Sequence, residues 1–308
     1  MKPTAEDVHI NAALSNISVS YSNDSYIADQ IFPIVTVAKE SDIYAKYNKR
    51  DWLADEAEIR IDGSEAAEGG YAVDVSNTYT AIPYAIKKKV TDRQRANADP
   101  VFQLDIEAAE YVADKLALRM EVQVAAGIDT TGVWGTDLTL SGTDQWSDFA
   151  NSDPIGNIRT AMSDVRKAIG RNANTVVMGD DVWIKLQDHP DILERSKYTS
   201  GASITTEMVA RMAGVDRILI GSAVKDTAAE SQTSSTSYVW GKNVLVAFVA
   251  PRPALRTPSA GYIFRHGTRA VKRYREDRIN SDWVEGQESW AVELTASDAG
   301  SFIAAAVA

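Results

Sequence analysis

Cysteine is absent from the chain, which excludes disulfides, thiolate metal sites and cysteine nucleophiles at once. Histidine is scarce: His9, His189 and His266 stand far apart, and no metal-ligand spacing joins them to one another or to carboxylates. The phosphate-cradling patterns Gly-x-Gly-x-x-Gly and Gly-x-x-x-x-Gly-Lys-Ser/Thr are missing, as is the Gly-x-Ser-x-Gly of a nucleophile elbow. No apolar run approaches the roughly 20 residues that span a bilayer, and the start Met-Lys-Pro-Thr-Ala-Glu-Asp has no apolar signal core. Positive charge is in deficit, with 32 Lys and Arg against 43 Asp and Glu and a net charge of -11. That balance opposes non-specific nucleic-acid binding and favours solubility. These absences lead one to expect a soluble protein of intracellular synthesis, with no metal, no cofactor and no membrane partner.

What is present is ordinary folded composition: 308 residues, 44% hydrophobic and 24% charged, enough for one large domain or two moderate ones. The organising stretch runs from Asp99 to Ile128. Asp99 suits an N-cap, and Pro100 suits the first helical position, where no amide donor is needed. Leu104, Ala108, Val112, Leu116 and Met120 recur every four residues, with Val101, Ala109, Leu118 and Val124 beside them, and Gly127 offers a stop. The spacing predicts one helix roughly 40 Å long at about 1.5 Å per residue. That far exceeds the usual helix of about three turns, so this one acts as a spine.

Residues 1–44 scatter Ile10, Leu14, Ile17, Tyr26, Ile31, Phe32, Ile34, Val35 and Val37 among serines and asparagines, and Phe32-Pro33 biases the chain towards extended backbone. Two readings stand open: an extended arm lying on a surface elsewhere, or an edge strand of the chain's own core. Residues 45–90 read as a long two-stranded excursion, opened by 44–47 and closed by the β-formers of 78–86. Its middle has Gly63 and Gly69-Gly70 as breakers and carries Asp55, Glu56, Glu58, Asp62, Glu65, Glu68 and Asp74. The alternating Asp/Asn spacing of a calcium loop is not there, so a solvated acidic face is the reading. Lys87, Lys88, Lys89, Arg93 and Arg95 follow as a basic cluster before the spine.

After the spine, 129–153 reads as loop. Asp153-Pro154 opens a helix that continues through Ile158, Met162, Val165 and Ile169 to a stop at Gly170. A strand at 174–178, short helices at 182–186 and up to Arg195, a helix at 205–213, and strands at 215–220 and 237–249 follow, with a Ser/Thr/Ala linker at 227–237. Such alternation in 155–250 predicts a compact α/β or α+β unit. Beyond Ala250-Pro-Arg-Pro253, 262–275 and 288–295 read as strands around a polar turn at 276–285. His189-Pro190-Asp191 copies the J-domain tripeptide, but that domain's flanking antiparallel helices are missing, so the match is coincidence. A carboxylate pair brought together by folding would still permit an α+β hydrolase.

Arg265, Arg269, Lys272, Arg273, Arg275 and Arg278 make the strongest charge strip. A nucleic-acid reader would interleave aromatics here, and only Tyr274 does so. The strips at 87–95 and 265–278 instead suit the acidic excursion of another copy of the chain, since complementary charge fixes register and partner choice. Candidate inter-subunit contacts are therefore Asp55, Glu56, Glu58, Asp62, Glu65 and Glu68 on one side, with Lys87, Lys88, Arg93, Arg269, Lys272, Arg273 and Arg275 on the other. No catalytic residue is assigned. The spine's outer face, with Glu107, Glu110, Asp114 and Arg119, is expected near a neighbour's arm or loop.

The order arm, acidic two-stranded loop, spine helix, compact mixed unit and final strands resembles the tailed-phage major capsid proteins of the Hong Kong 97 type. Local texture agrees in the runs 157–170, 174–179 and 186–195, in Tyr274-Arg-Glu-Asp277, and in Glu293-Leu-Thr-Ala-Ser-Asp-Ala-Gly300. The resemblance implies an α+β fold with 1–44 as N-arm, 45–90 as E-loop, 91–154 and 251–308 as P-domain with the spine, and 155–250 as A-domain, the last few residues being candidates to join it. It implies a structural protein without catalytic activity, self-assembling into hexamers and pentamers of an icosahedral virion shell around double-stranded DNA. The DNA would be held without sequence-specific binding, and the protein would be made in the host cytoplasm. Some relatives carry an N-terminal scaffolding segment; here the arm begins almost at Met1, so a separate scaffold is expected, with a portal and room for decoration proteins. Lys46, Lys49 and several asparagines are available for the isopeptide some relatives form, but no pair is singled out. An encapsulin-like nanocompartment shell would share the fold. Interfaces of this kind commonly bury about 2,000 Å² or more.

Overall fold

Apolar periodicity builds a four-stranded and a five-stranded sheet among the described residues, and one long helix packs across both. The computed structural model describes residues 26–47, 51, 53–63, 65–98, 103–196, 204–228, 232–253, 257 and 259–308. The expected cap at Asp99, Pro100 and Val101, and the arm residues Ile10, Leu14 and Ile17, lie outside the described residues. The first half holds α1 (Ala28–Ile31), β1 (Ile34–Val37), β2 (Ser41–Tyr47), β3 (Val73–Thr80), β4 (Ile82–Thr91), α2 (Asp92–Asn97) and the spine α3 (Leu104–Ile128). Next come β5 (Thr136–Thr139), α4 (Pro154–Ile169), β6 (Thr175–Gly179), α5 (Asp180–Gln187), α6 (Pro190–Ser196) and α7 (Thr206–Ala213). Then follow β7 (Arg217–Gly221), β8 (Val224–Asp226), β9 (Thr236–Tyr238), β10 (Val244–Ala247), β11 (Gly261–Glu276), β12 (Ser281–Leu294) and β13 (Gly300–Ala304).

The spine runs 25 residues, about 37 Å, and ends one residue beyond Gly127. Its buried face is Ala108, Ala109, Val112, Ala113, Leu116, Met120, Val124, Ala125 and Ile128, as the helical period requires, with one charged member, Glu121. The N-terminal half lies on a four-stranded sheet ordered β1-β11-β12-β4, against Val90, Val271 and Val284. Contact is close enough that β12 carries glycine there: a Cβ on Gly286 would sit 2.2 Å from Cγ1 of Val112. The C-terminal half of the spine lies on a five-stranded sheet ordered β5-β13-β10-β6-β7.

That second sheet is a middle layer, because its strands β13, β10, β6 and β7 carry buried apolar residues on both faces and alternate residues serve each. Val176, Met178, Ile218, Val244, Val246 and Ile303 face α4, α5, α6 and α7. Val177, Leu219, Leu245, Ala247 and Phe302 face the spine side. Helix α4 is bounded as its sequence requires. Asp153 Oδ1 accepts from the Gly156 amide at 2.8 Å, and Gly170 takes the left-handed stop at φ +71°.

Several elements fall elsewhere than the pattern suggests. Strand β4, expected within the excursion, pairs antiparallel with β12, because Tyr84, Ile86 and Val90 project alternately to the spine side. Residues 136–139, expected as loop, form β5 and lie parallel to β13, whose residues 300–304 share the five-stranded sheet with strands of 155–250. The turn at 276–285 is shorter, closing at Asn280 in the left-handed region (φ 45°), and β12 starts at Ser281. The strand expected over 237–249 breaks at Trp240-Gly241 into β9 and β10. Of the two readings for the arm, 34–37 form an edge strand of the chain's own sheet, parallel to β11.

Candidate functional site

Strands β2 and β3 form a two-stranded ribbon that leaves the body at the four-stranded sheet. Its root is fixed by aromatic packing on the sheet's outer face. Tyr79 stacks on Phe264 with centroids 4.5 Å apart, and Tyr44 lies 5.6 Å from the same ring. Burial, then Glu293, pushes the Tyr44 hydroxyl up to about 12. Farther out the ribbon lacks a core of its own. Ile43, Val73 and Val75 are exposed on it, and Ile59 at 96% and Ile61 at 73% are almost fully exposed at the tip. Asp55, Glu56, Glu58, Asp62, Glu65 and Glu68 all lie exposed on this same tip, whose base Asp51 closes by accepting from the Ala72 amide at 2.7 Å. Acid and exposed apolar surface thus occur together.

The structure divides the basic residues into two groups. Those of β11 meet carboxylates of their own chain. Arg269 donates to the buried Glu288 at 2.8 Å, and Arg265 lies 2.6 Å from its other oxygen, off the hydrogen-bonding angle. Arg273 bridges Asp105 (3.1 Å) and Asp282 (2.7 Å), while Arg275 grips Asp92 through both terminal nitrogens at 2.5 and 2.6 Å. Lys272 is half-buried opposite Glu285 in the strand register. Arg95 completes this network by donating to Asp105 at 2.6 Å and, closely, to Asp282. Burial alone would raise the Asp282 carboxyl, but Arg273 and Arg95 outweigh it and hold it at about 2.

Lys87, Lys88 and Arg93 are exposed. Lys87 Nζ sits 4.3 Å over the Trp283 ring and Lys88 Nζ 4.6 Å over Tyr111. Lys88 and Arg93 also line a cleft of about 490 Å³ with Lys89, Gln94, Asn97 and Leu104. On the spine's outer face, Asp114 accepts from Tyr26 of the chain's own arm at 2.9 Å, and Arg119 lies 5.7 Å from the Tyr84 ring, while Glu107 is exposed.

A third feature escaped the sequence pattern. Glu121, fully buried on the spine, accepts from the Ala28 amide at 2.8 Å, the Ile27 amide at 3.1 Å and Trp240 Nε1 at 2.6 Å. Two turns on, Asp129 accepts from the Gly241 amide at 2.8 Å and from Asn243 Nδ2 at 3.0 Å. Burial pushes both carboxyls up, opposed in each case by these donors. The available signal was a glutamate four residues before Ala125 and three before Val124, squarely inside the apolar stripe. His189 is likewise structural. Its Nδ1 accepts from the Asp191 amide at 3.2 Å, so Nε2 carries the proton and donates to Ser152 Oγ at 3.0 Å. Among the described residues no group of three or more His, Asp or Glu is placed to hold a metal ion.

A spine laid over an arm-edged sheet, a ribbon rooted on that sheet, and a mixed unit behind it together make the tailed-phage capsid fold of the Hong Kong 97 type. No family model matches the chain. It is 26% identical over 305 residues to the major capsid protein of Burkholderia phage BcepMu, covering 96% of this chain and 95% of that one. A crystal structure of a phage-related protein from Bordetella bronchiseptica RB50 superposes with a TM-score of 0.78 at 23% identity, over 97% of this chain and 98% of the other. The capsid of cyanophage P-SCSP1u gives 0.64 at 11% identity, over 99% and 92%.

Proposed function

We propose that the chain is a major capsid protein, a structural subunit without catalytic activity that assembles into the icosahedral head enclosing the double-stranded DNA of a tailed phage. The carrying observation is the β2–β3 ribbon: rooted rigidly at Phe264, it ends in apolar and acidic residues that its own chain leaves exposed. The similarity to phage major capsid protein along nearly the whole chain supports the same reading. In the shell the ribbon is the E-loop, the four-stranded sheet with the spine is the P-domain, and the five-stranded unit is the A-domain at capsomer centres. Hexamers and pentamers build the surface, a separate scaffold and a portal take part in assembly, and decoration proteins are compatible with it. The protein is made in the host cytoplasm and resides in the virion.

The acidic tip engages a neighbouring copy. Arg269, Arg273 and Arg275 already meet carboxylates of their own chain, and Lys272 faces Glu285. The exposed Lys87, Lys88 and Arg93 are therefore the principal receivers, with the β11 strip at the margin. Charge there sets register and partner choice, while the apolar ribbon residues supply burial. Net negative charge keeps packaged DNA from adhering to the wall.

Negative-stain microscopy of the purified protein, alone and with its scaffold, tests this. Closed shells or capsomers are expected. A compact monomer under every assembly condition contradicts the proposal, and shells enclosing an enzyme cargo in place of DNA redirect it to a nanocompartment.

A further inference from the structure

Two segments remote from each other in sequence meet at the C-terminal half of the spine. The arm root, 26–32, buries Ile27, Ala28, Ile31 and Phe32 there. The turn between β9 and β10 places Trp240, Gly241 and Asn243 against the same helix. The hydrogen bonds across this junction are carried by two carboxylates, those to Glu121 buried and those to Asp129 half-buried. Glu121 takes the arm through two amides and the turn through one indole; Asp129 takes the turn through an amide and a side-chain amide. Asn243 passes the link onward, its Oδ1 accepting from the Ala305 amide at 2.9 Å. Arg217 of β7 adds a second hold on the arm, donating to the Gln30 carbonyl at 2.8 Å.

We propose that Glu121 and Asp129 form a two-carboxylate interlock through which the spine holds the arm root and the 240–243 turn in one fixed relation, so that loosening either loosens the other.

Glu121 is the joint because its two oxygens are shared. Oε1 serves Ile27 and Trp240, and Oε2 serves Ile27 and Ala28. Every partner is an N–H donor, so the ionised carboxylate fits the site and a protonated one would find no acceptor for its hydrogen. Four residues of arm helix are too short to hold themselves, and Glu121 answers the first of their free amides as a cap would. Withdrawing the indole N–H leaves a buried carboxylate short of a donor, and the carboxylate must then shift or take up a proton. Either response alters the bonds to the arm, although the arm itself is untouched. The interlock is a property of the single chain and stands apart from the proposal of shell assembly.

Hydrogen exchange on the full-length protein reads the coupling. Trp240→Phe is expected to raise exchange at the Ile27 and Ala28 amides about tenfold or more, the effect of losing one charge-assisted hydrogen bond. Glu121→Gln, which turns an NH₂ towards N–H donors, is expected to raise exchange both there and at 239–243. Val239→Ala, which opens a cavity beside Trp240 without removing a donor, serves as the control and is expected to leave the arm amides nearly unchanged. Should Glu121→Gln fail to fold, the other two variants decide. Arm exchange unaffected by Trp240→Phe, or raised equally by Val239→Ala, overturns the interlock.

Discussion

Replacing Phe264 by alanine is expected to free the ribbon while leaving the body folded. Phe264 is nearly buried in a small cluster with Tyr79, Ala291, Val35, Val37, Tyr44 and Tyr262, separate from the two main cores. A Phe→Ala change in a packed site costs about 3–5 kcal/mol, and the lost ring pairs with Tyr79 and Tyr44 account for roughly 0.5–1.5 kcal/mol each within that. Because the cluster is a satellite, most of this loss falls on ribbon docking. Strand β2 has 7 residues, a lever of about 23 Å. A tilt of about 20° at its root therefore displaces the far end by about 8 Å, more than a charged contact tolerates. Hydrogen exchange should rise across 41–47 and 73–80 with little change in 175–179, and shell yield should fall sharply. Phe264→Leu keeps much of the volume but loses the stacking, and should give an intermediate result. Normal assembly by Phe264→Ala, with unchanged ribbon exchange, would refute the idea that this ring sets the ribbon's direction.

Other consequences are equally direct. Gly286→Ala places a Cβ against Val112 and should cost about 1–3 kcal/mol by pushing the spine off β12, read as a lower midpoint in urea. The Asp282 carboxyl sits at about 2 in the fold against an ordinary 3.8. Its share of stability is therefore complete above pH 4 or so and is lost as pH falls towards 2; by linkage that share is about 2 kcal/mol. Asp282→Asn should flatten that part of the pH–stability curve. Burial depresses the His189 imidazole, so its contribution is present above about pH 6.5 and declines below it as the unfolded chain takes up the proton first. His189→Gln, followed by urea melts at pH 7.5 and 5.5, should narrow the difference between the two. Replacing Asp55, Glu56 and Glu58 together by Asn and Gln should weaken assembly at low salt more than at high salt, since exposed charge is screened over about 10 Å at 0.1 M; light scattering follows it.

How much of this was legible in sequence depends on how each element is stabilised. The spine, α4, α7 and β6 stand out because one apolar period runs through each, and their caps at Asp153, Gly170 and Thr205 are local chemistry. Strand β12 was half hidden, since its buried positions include Ser281, Gly286 and Glu288, polar or small residues that only tertiary partners make sense of. Strand β5 is exposed along its whole length, and it exists because β13 offers it hydrogen bonds. The acidic tip and the Lys87–Arg93 cluster were visible as composition. By contrast, the pairing of Arg273 with Asp105 and of Arg275 with Asp92 was not, because each joins residues more than 150 positions apart. Glu121 had a signal, a charge inside an apolar stripe, but its partners lie 93 positions before it and 119 after it.

The central claim is that the ribbon completes itself on another copy of the chain. A cryo-EM map of the assembled particle measures this most directly. The 54–68 tip is expected to lie on a neighbouring subunit within ionic reach of Lys87, Lys88 or Arg93, with Ile59 and Ile61 covered. A particle in which that tip stands in open solvent at every subunit position would contradict it.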